Sequence, residues 1–103
     1  MSDADSDQVP IENNVAAHRF EARFPEGLAM LKYHYDREGR LNLDHTEVPP
    51  ALRHHGVAGL LAATALDFAR ARNLTVVPAC PYVIAYLRKH PELASLVDRG
   101  QSS

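Results

Sequence analysis

One cysteine, Cys80, is all the thiol chemistry in this 103-residue sequence. An internal disulfide and a Cys-rich metal site are therefore excluded, and a reducing, cytoplasmic setting is expected. No apolar run approaches the roughly 20 residues that a membrane-spanning helix needs, so no membrane association is expected. The stretch from Met1 to Val9 is acidic and polar, without the basic and then apolar regions of a signal peptide. A basic excess is missing too: the formal net charge is −2, which argues against a nucleic-acid binder. Internal repeats and low-complexity segments are absent.

What remains is the composition of a folded globule, 46% hydrophobic and 23% charged, at a length that supports one domain. Ser2 to Gln8 carries three Asp and two Ser with little to bury. The division expected is a disordered acidic tail over 1–10, one domain over 11–98 and a flexible C-terminus over 99–103.

Alternation from Val15 to Phe24, with Ala16, His18, Phe20, Ala22 and Phe24 on one parity, predicts a strand with one apolar face. Pro25, Glu26 and Gly27 turn the chain into a second strand, Leu28 to Tyr35. A turn over Asp36 to Arg40 leads to a third, Leu41 to Val48, on which Leu41, Leu43, His45 and Glu47 share a parity. On that count His45 and Glu47 stand on the same face as the two leucines, with Asn42, Asp44 and Thr46 opposite.

Apolar residues at helical spacing, Val57, Leu60, Leu61, Thr64, Ala65 and Phe68, predict a helix from Gly56 to Arg72. Leu74 to Ala79 reads as a short buried strand whose pairing is lost toward Pro78. Pro81 suits a first helical position, and Tyr82 to His90 follows as a second helix, with one further turn over Glu92 to Val97. Strand, helix and strand in succession imply a parallel pair joined by a crossover. The fold class expected is α/β (α+β): a mostly antiparallel sheet, one parallel strand-helix-strand crossover and a C-terminal helix.

The junction between the third strand and the first helix is where chemistry is expected. Arg53-His54-His55-Gly56-Val57-Ala58 fits the pattern Arg/Gln-x-x-Gly-x-Gly/Ala, a loop that turns into a helix. The first N–H groups of a helix have no partner within it, and with the dipole they suit an anion such as a phosphate. His54 and His55 with His45 make a poor metal set, because adjacent His seldom converge on one ion and no helical i, i+4 His pair or Cys partner accompanies them. No metal is expected.

Together with Asn13-Asn14, Arg19-Phe20-Glu21, His45-Thr46-Glu47-Val48-Pro49, Val77-Pro78-Ala79-Cys80-Pro81-Tyr82 and His90-Pro91, that loop resembles the GNAT superfamily of acyl-CoA-dependent N-acetyltransferases. Within it the resemblance is to the small single-domain YjdJ-type subfamily, and it spans about residues 13 to 97. It implies a minimal GNAT-like fold, with acetyl-CoA held at Arg53, His54, His55, Gly56, Val57 and Ala58 and the pantetheine arm entering where the third strand and the one after the helix splay apart. The activity implied is acetyl transfer to an amine acceptor, small molecule or protein, which the sequence leaves unknown.

Candidate catalytic residues follow. Cys80 stands where the resemblance brings the thioester, and is either an acylated thiolate or a thiol lining the pocket. His45 and Glu47 are candidate bases for the attacking amine, with loop hydrogen bonding or ion pairing as their structural alternatives. Tyr86 matches the helix tyrosine that in many superfamily members protonates the departing thiolate, and otherwise packs. Direct attack on the thioester is favoured over a Cys80 acyl-enzyme. The alternative function is a non-catalytic acyl-CoA-binding or protein-interaction module that keeps the fold.

Overall fold

A computed structural model of the chain describes residues 10–97. The expected acidic tail, Pro10 apart, and the expected flexible C-terminus lie outside the described residues. Five strands form one sheet in the order β1-β2-β3-β4-β5, where β1 is Glu12–Asn14, β2 Arg19–Phe24, β3 Gly27–Tyr35, β4 Leu41–Glu47 and β5 Val76–Pro78. The first four pair antiparallel, and β5 joins β4 in parallel. The crossover between them is helix α1, Val57–Ala71, and helix α2, Pro81–Lys89, runs on into a 3-10 turn, Pro91–Leu96. Mixed sheet plus helices is the architecture expected. Among the described residues no helix is long and apolar enough to cross a membrane.

Two departures from the alternation pattern matter. The predicted first strand from Val15 is shorter: Val15–Ala17 is a 3-10 turn, capped by Asn14 Oδ1, which accepts from Ala17 N–H at 3.2 Å, and His18 takes a left-handed φ of 54° before β2 begins. Ala16 and His18 are accordingly exposed. The polar edge strand β1, which carries no hydrophobic alternation, was not anticipated.

The second departure lies in β4. Lys32 pairs with His45 while Tyr33 pairs with Leu43, so Asp44 is an extra residue on the β4 side. Such a bulge shifts the parity of everything after it. Leu41 and Leu43 are buried under the helices, but the next inward residue is Thr46, and His45 and Glu47 are exposed on the opposite face. The expectation that they share a face with the leucines is therefore corrected by one inserted residue.

The core lies on one side of the sheet. Phe20, Leu31, Leu41 and Leu43 meet Leu61, Ala65, Leu66 and Ala69 of α1 and Val83 of α2. Small Ala residues on the buried stripe let α1 lie close to the strands, whereas Leu60 falls outside that stripe and is 46% exposed. Gly27 is required by a close approach: a Cβ there would stand 3.1 Å from Pro49 Cγ, and its φ is +140°. Among the described residues the other sheet face carries no helix. On it Glu21, 3% exposed, accepts from Arg19 Nε at 2.7 Å and from Asn14 and Arg23, and the Arg19 hydrogen bond leads in holding its carboxyl below the usual range against the opposing effect of burial.

In the β3–β4 turn, Asp36 Oδ1 accepts from the Glu38 and Arg40 backbone N–H groups at 3.0 and 2.9 Å, and Oδ2 accepts from Arg40 Nε and Asn42. Desolvation opposes ionisation there, but the donors from Asn42 and Arg40 outweigh it and lower the carboxyl from 3.8 to about 2.

Two outcomes are expected. Leu61→Ala removes a side chain at 0% exposure and lowers the unfolding free energy by about 2–5 kcal/mol, while Leu60→Ala one position away changes it by about 0.5 kcal/mol or less; urea titration of both variants checks the orientation of α1. Because Asp36 is depressed in the folded state, its contribution is fully present above about pH 4 and fades as pH falls toward about 2. The stability gap between the wild type and Asp36→Asn should close over that interval, and a gap that stays constant would refute the assignment.

Candidate functional site

Beyond Leu43 and Pro78, the last paired residues of β4 and β5, the two strands part. The N–H groups of Ala79 and Cys80 both turn back to the Leu43 carbonyl, at 3.0 and 3.1 Å, so the fork opens without orphaning that acceptor. From there β4 runs on to Glu47 and enters the loop that precedes α1. Pro50–Leu52 forms a 3-10 turn, held by Leu52 N–H to the Pro49 carbonyl at 2.8 Å. His54 then takes φ +72° and Gly56 φ +80°. Two left-handed residues flanking His55 fold the loop sharply onto the helix start, and only at Gly56 does a residue suited to that conformation stand there.

Gly56 caps α1 with no side-chain hydrogen bond. The first helical bond is donated by Leu60 N–H to the Gly56 carbonyl at 3.1 Å, so the N–H groups of Val57, Ala58 and Gly59 have no partner within the helix. The same three residues line a cavity of about 140 Å³, together with Arg53, His54, Gly56 and Tyr82. Nothing lies within 4 Å of where a Gly56 Cβ would be, so the backbone is open to close approach. Among the described residues Arg53 forms no ion pair, which leaves its guanidinium available beside those donors.

A second cavity, of about 430 Å³, lies at the end of β4. His45, Thr46, Glu47 and Pro49 line it, and Val48, Arg53 and Tyr82 belong to both cavities. His45 Nε2 is 3.1 Å from Glu47 Oε2, with both side chains more than half exposed. The predicted residues thus separate. Arg53, His54, Gly56, Val57 and Ala58 line the first cavity, and His45 and Glu47 the second. His55 is exposed and lines neither.

Cys80 is 1% exposed, with Sγ 3.1 Å from Thr46 Oγ1, and lies in the core at the fork. Tyr86 also lines neither cavity; it packs near Gly59 and stacks on His90 with ring centroids 4.1 Å apart. The tyrosine at the junction is Tyr82, 49% exposed on the first turn of α2. Sequence reasoning passed over Tyr82 and Thr46. The signal for Tyr82 was its place next to Pro81, because the first turn of a helix that starts at a strand fork must lie beside the opening. Among the described residues no group of three or more His, Cys, Asp or Glu is placed to hold a metal.

Comparison with known proteins gives this geometry its context. The sequence model described as GCN5-related N-acetyl-transferase matches residues 19–96. The chain belongs to that family. Protein NATD1 of Mus musculus is 40% identical over 85 residues, covering 81% of this chain and 77% of that protein. Protein NATD1 of Xenopus tropicalis is 32% identical over 88 residues, covering 84% and 81%. The NMR structure of a GCN5-like protein from Staphylococcus aureus superposes with a TM-score of 0.69 at 24% identity, covering 88% of this chain and 89% of that one, and so shares the GNAT-like fold. For a GCN5-related N-acetyl-transferase domain, a strand fork, an uncapped helix start and a cavity at the β4 terminus form one continuous region here.

The strained loop yields a prediction of opposite signs. Gly56→Ala places a Cβ in open space but at φ +80°, and lowers stability by about 1–2 kcal/mol. His54→Gly relieves a left-handed residue at φ +72° and raises stability by about 0.5–1 kcal/mol. Chemical denaturation of the two variants checks this; shifts in the same direction would contradict the loop geometry.

Proposed function

We propose that the chain is an acetyl-CoA-dependent N-acetyltransferase that moves an acetyl group to an amine. The observation that carries this reading is the pair of cavities sharing Val48, Arg53 and Tyr82, one built on free helix N–H groups and the other holding an imidazole and a carboxylate. The residues suit acetyl-CoA. The N–H groups of Val57, Ala58 and Gly59 with the Arg53 guanidinium would hold its pyrophosphate, open Gly56 leaves room for it, and the fork beyond Leu43 would take the pantetheine arm. Acetyl-CoA supplies the acetyl group as an activated thioester.

The chain's own groups would do the rest. Glu47 and His45, in contact on the face that the second cavity reaches, would take the proton of an ammonium acceptor and orient the freed amine. Tyr82, which touches both cavities, would separate the anion-binding end from the acceptor end. Cys80 is shut from both cavities by burial, and this supports direct attack over an acyl-enzyme. A cytoplasmic setting suits its single reduced thiol. A second reading, a module that binds acyl-CoA without turning it over, draws on the same burial of Cys80 and on Tyr86 lining neither cavity.

Isothermal titration with acetyl-CoA tests the binding, and release of CoA thiol in the presence of an amine panel separates enzyme from module. Gly56→Glu puts a carboxylate where the pyrophosphate would lie and should weaken binding about tenfold or more. Cys80→Ala should keep turnover. Equal affinity in Gly56→Glu would place acetyl-CoA elsewhere, and loss of turnover in a folded Cys80→Ala would restore the acyl-enzyme.

A further inference from the structure

We infer that Thr46 is a further catalytic residue, whose hydroxyl donates a hydrogen bond to the carbonyl oxygen of the thioester and stabilises the negative charge that forms there during transfer. This rests on the acetyltransferase reading above and adds a residue to that same site.

The fork holds a buried polar pair with one hydrogen bond too few. Thr46 is 6% exposed and Cys80 1%, and Thr46 Oγ1 lies 3.1 Å from Cys80 Sγ. Hydroxyl and thiol carry one proton each, and among the described residues the two groups have no hydrogen-bond partner but each other. Their one contact uses one proton and leaves the second without an acceptor, whichever group donates. Valine has nearly the same shape and would bring no polar atom to this position. An unsatisfied buried donor that a valine could replace calls for an explanation.

Access decides which proton is available. Cys80 lines neither cavity, whereas Thr46 belongs to the wall of the second. The other polar side chains of that wall, His45, Glu47, Arg53 and Tyr82, are exposed to solvent, so Thr46 is its one buried donor. With the thiol donating to Oγ1, the hydroxyl proton is left for a ligand. The bulge at Asp44 turns Thr46 inward just past Leu43, where β4 leaves β5 and the fork would bring the thioester.

A threonine hydroxyl is too weak an acid to protonate the departing thiolate, so its part is to donate without losing its proton. The lone pair of the neutral amine forms a C–N bond to the thioester carbon, and the C=O π pair moves to oxygen, which accepts from Thr46 Oγ–H. That pair then re-forms C=O, the C–S bond breaks with its electrons on sulfur, and the proton lost from nitrogen ends on the thiolate. The products are the amide and CoA thiol. A donor already in place where the oxyanion develops strengthens its hold in the transition state, which is how such a bond raises kcat.

The hydrogen bond can be read without turnover, by isotope-edited infrared spectroscopy of acetyl-CoA labelled with carbon-13 at the thioester carbonyl. The carbonyl band is expected at lower frequency in wild type, Cys80→Ala and Thr46→Ser than in Thr46→Val. Thiol release with an amine panel should show kcat about 100-fold lower in Thr46→Val, acetyl-CoA affinity within about threefold of wild type, and recovery to within about tenfold in Thr46→Ser. A band that does not move between wild type and Thr46→Val, or a kcat there within about threefold of wild type, overturns this inference alone. So does a shift lost in Cys80→Ala and kept in Thr46→Val, which would make the thiol the donor. Acetyl-CoA that does not bind, or binds without turnover, overturns the acetyltransferase reading and takes this inference along.

Discussion

The extra residue in β4 governs the arrangement of the site. Without Asp44, strict alternation from Leu41 and Leu43 would carry His45 and Glu47 under the helices, where a paired imidazole and carboxylate would have to be desolvated. With it, Thr46 goes inward to meet Cys80 at 3.1 Å and the two ionisable groups emerge on the open face. The same point in the chain is where β4 and β5 stop pairing, at Leu43 and Pro78. The bulge thus turns the side chains of β4 as its backbone leaves the neighbouring strand, and a single irregularity serves both the opening and its lining.

The helix start depends on a different constraint, the conformation of the loop. His54 and Gly56 are both left-handed, and α1 begins with no side chain to satisfy its first donors. A Ser or Asp at the cap position would typically stabilise the helix by about 1 kcal/mol. Gly56 forgoes that and leaves the N–H groups of Val57, Ala58 and Gly59 without a side-chain cap, beside a backbone open to close approach. Strain at His54 together with a missing cap trades local stability for an open helix start, and backbone strain of this kind clusters at ligand-binding sites.

Most of the architecture was legible because it rests on periodicity. The stripe that includes Leu61 and Ala65 marks α1, the Pro81 position marks α2, and Gly56 marks their junction with the site. What escaped was aperiodic. Asp44 carries no sequence signal that it is an inserted residue, since its register is set by which residues of β3 it fails to pair with. The strand β1 is short and polar and is recognisable only through its partners on β2, Glu21, Phe20 and Arg19. In the site, the loop from Arg53 to Ala58 was legible from local backbone chemistry. Tyr82 was not distinguished from Tyr86, because only the packing of α2 against the fork puts one beside both cavities and the other against Gly59 and His90.

The separation of faces also bears on chemistry. Cys80 shares the helix side of the sheet with Thr46, whereas the His45–Glu47 pair lies on the other side, so the thiol and the candidate base do not meet. A thiol nucleophile generally needs a base or a cation beside it to become a thiolate. Here the neighbour is a threonine hydroxyl in a buried setting, and neither activates it. An amine placed at the end of β4 would, by contrast, meet an imidazole and a carboxylate within one exposed recess. Position alone therefore sets the thiol apart from the imidazole and the carboxylate: Cys80 is a packed part of the fork, and the pair stands on the open face.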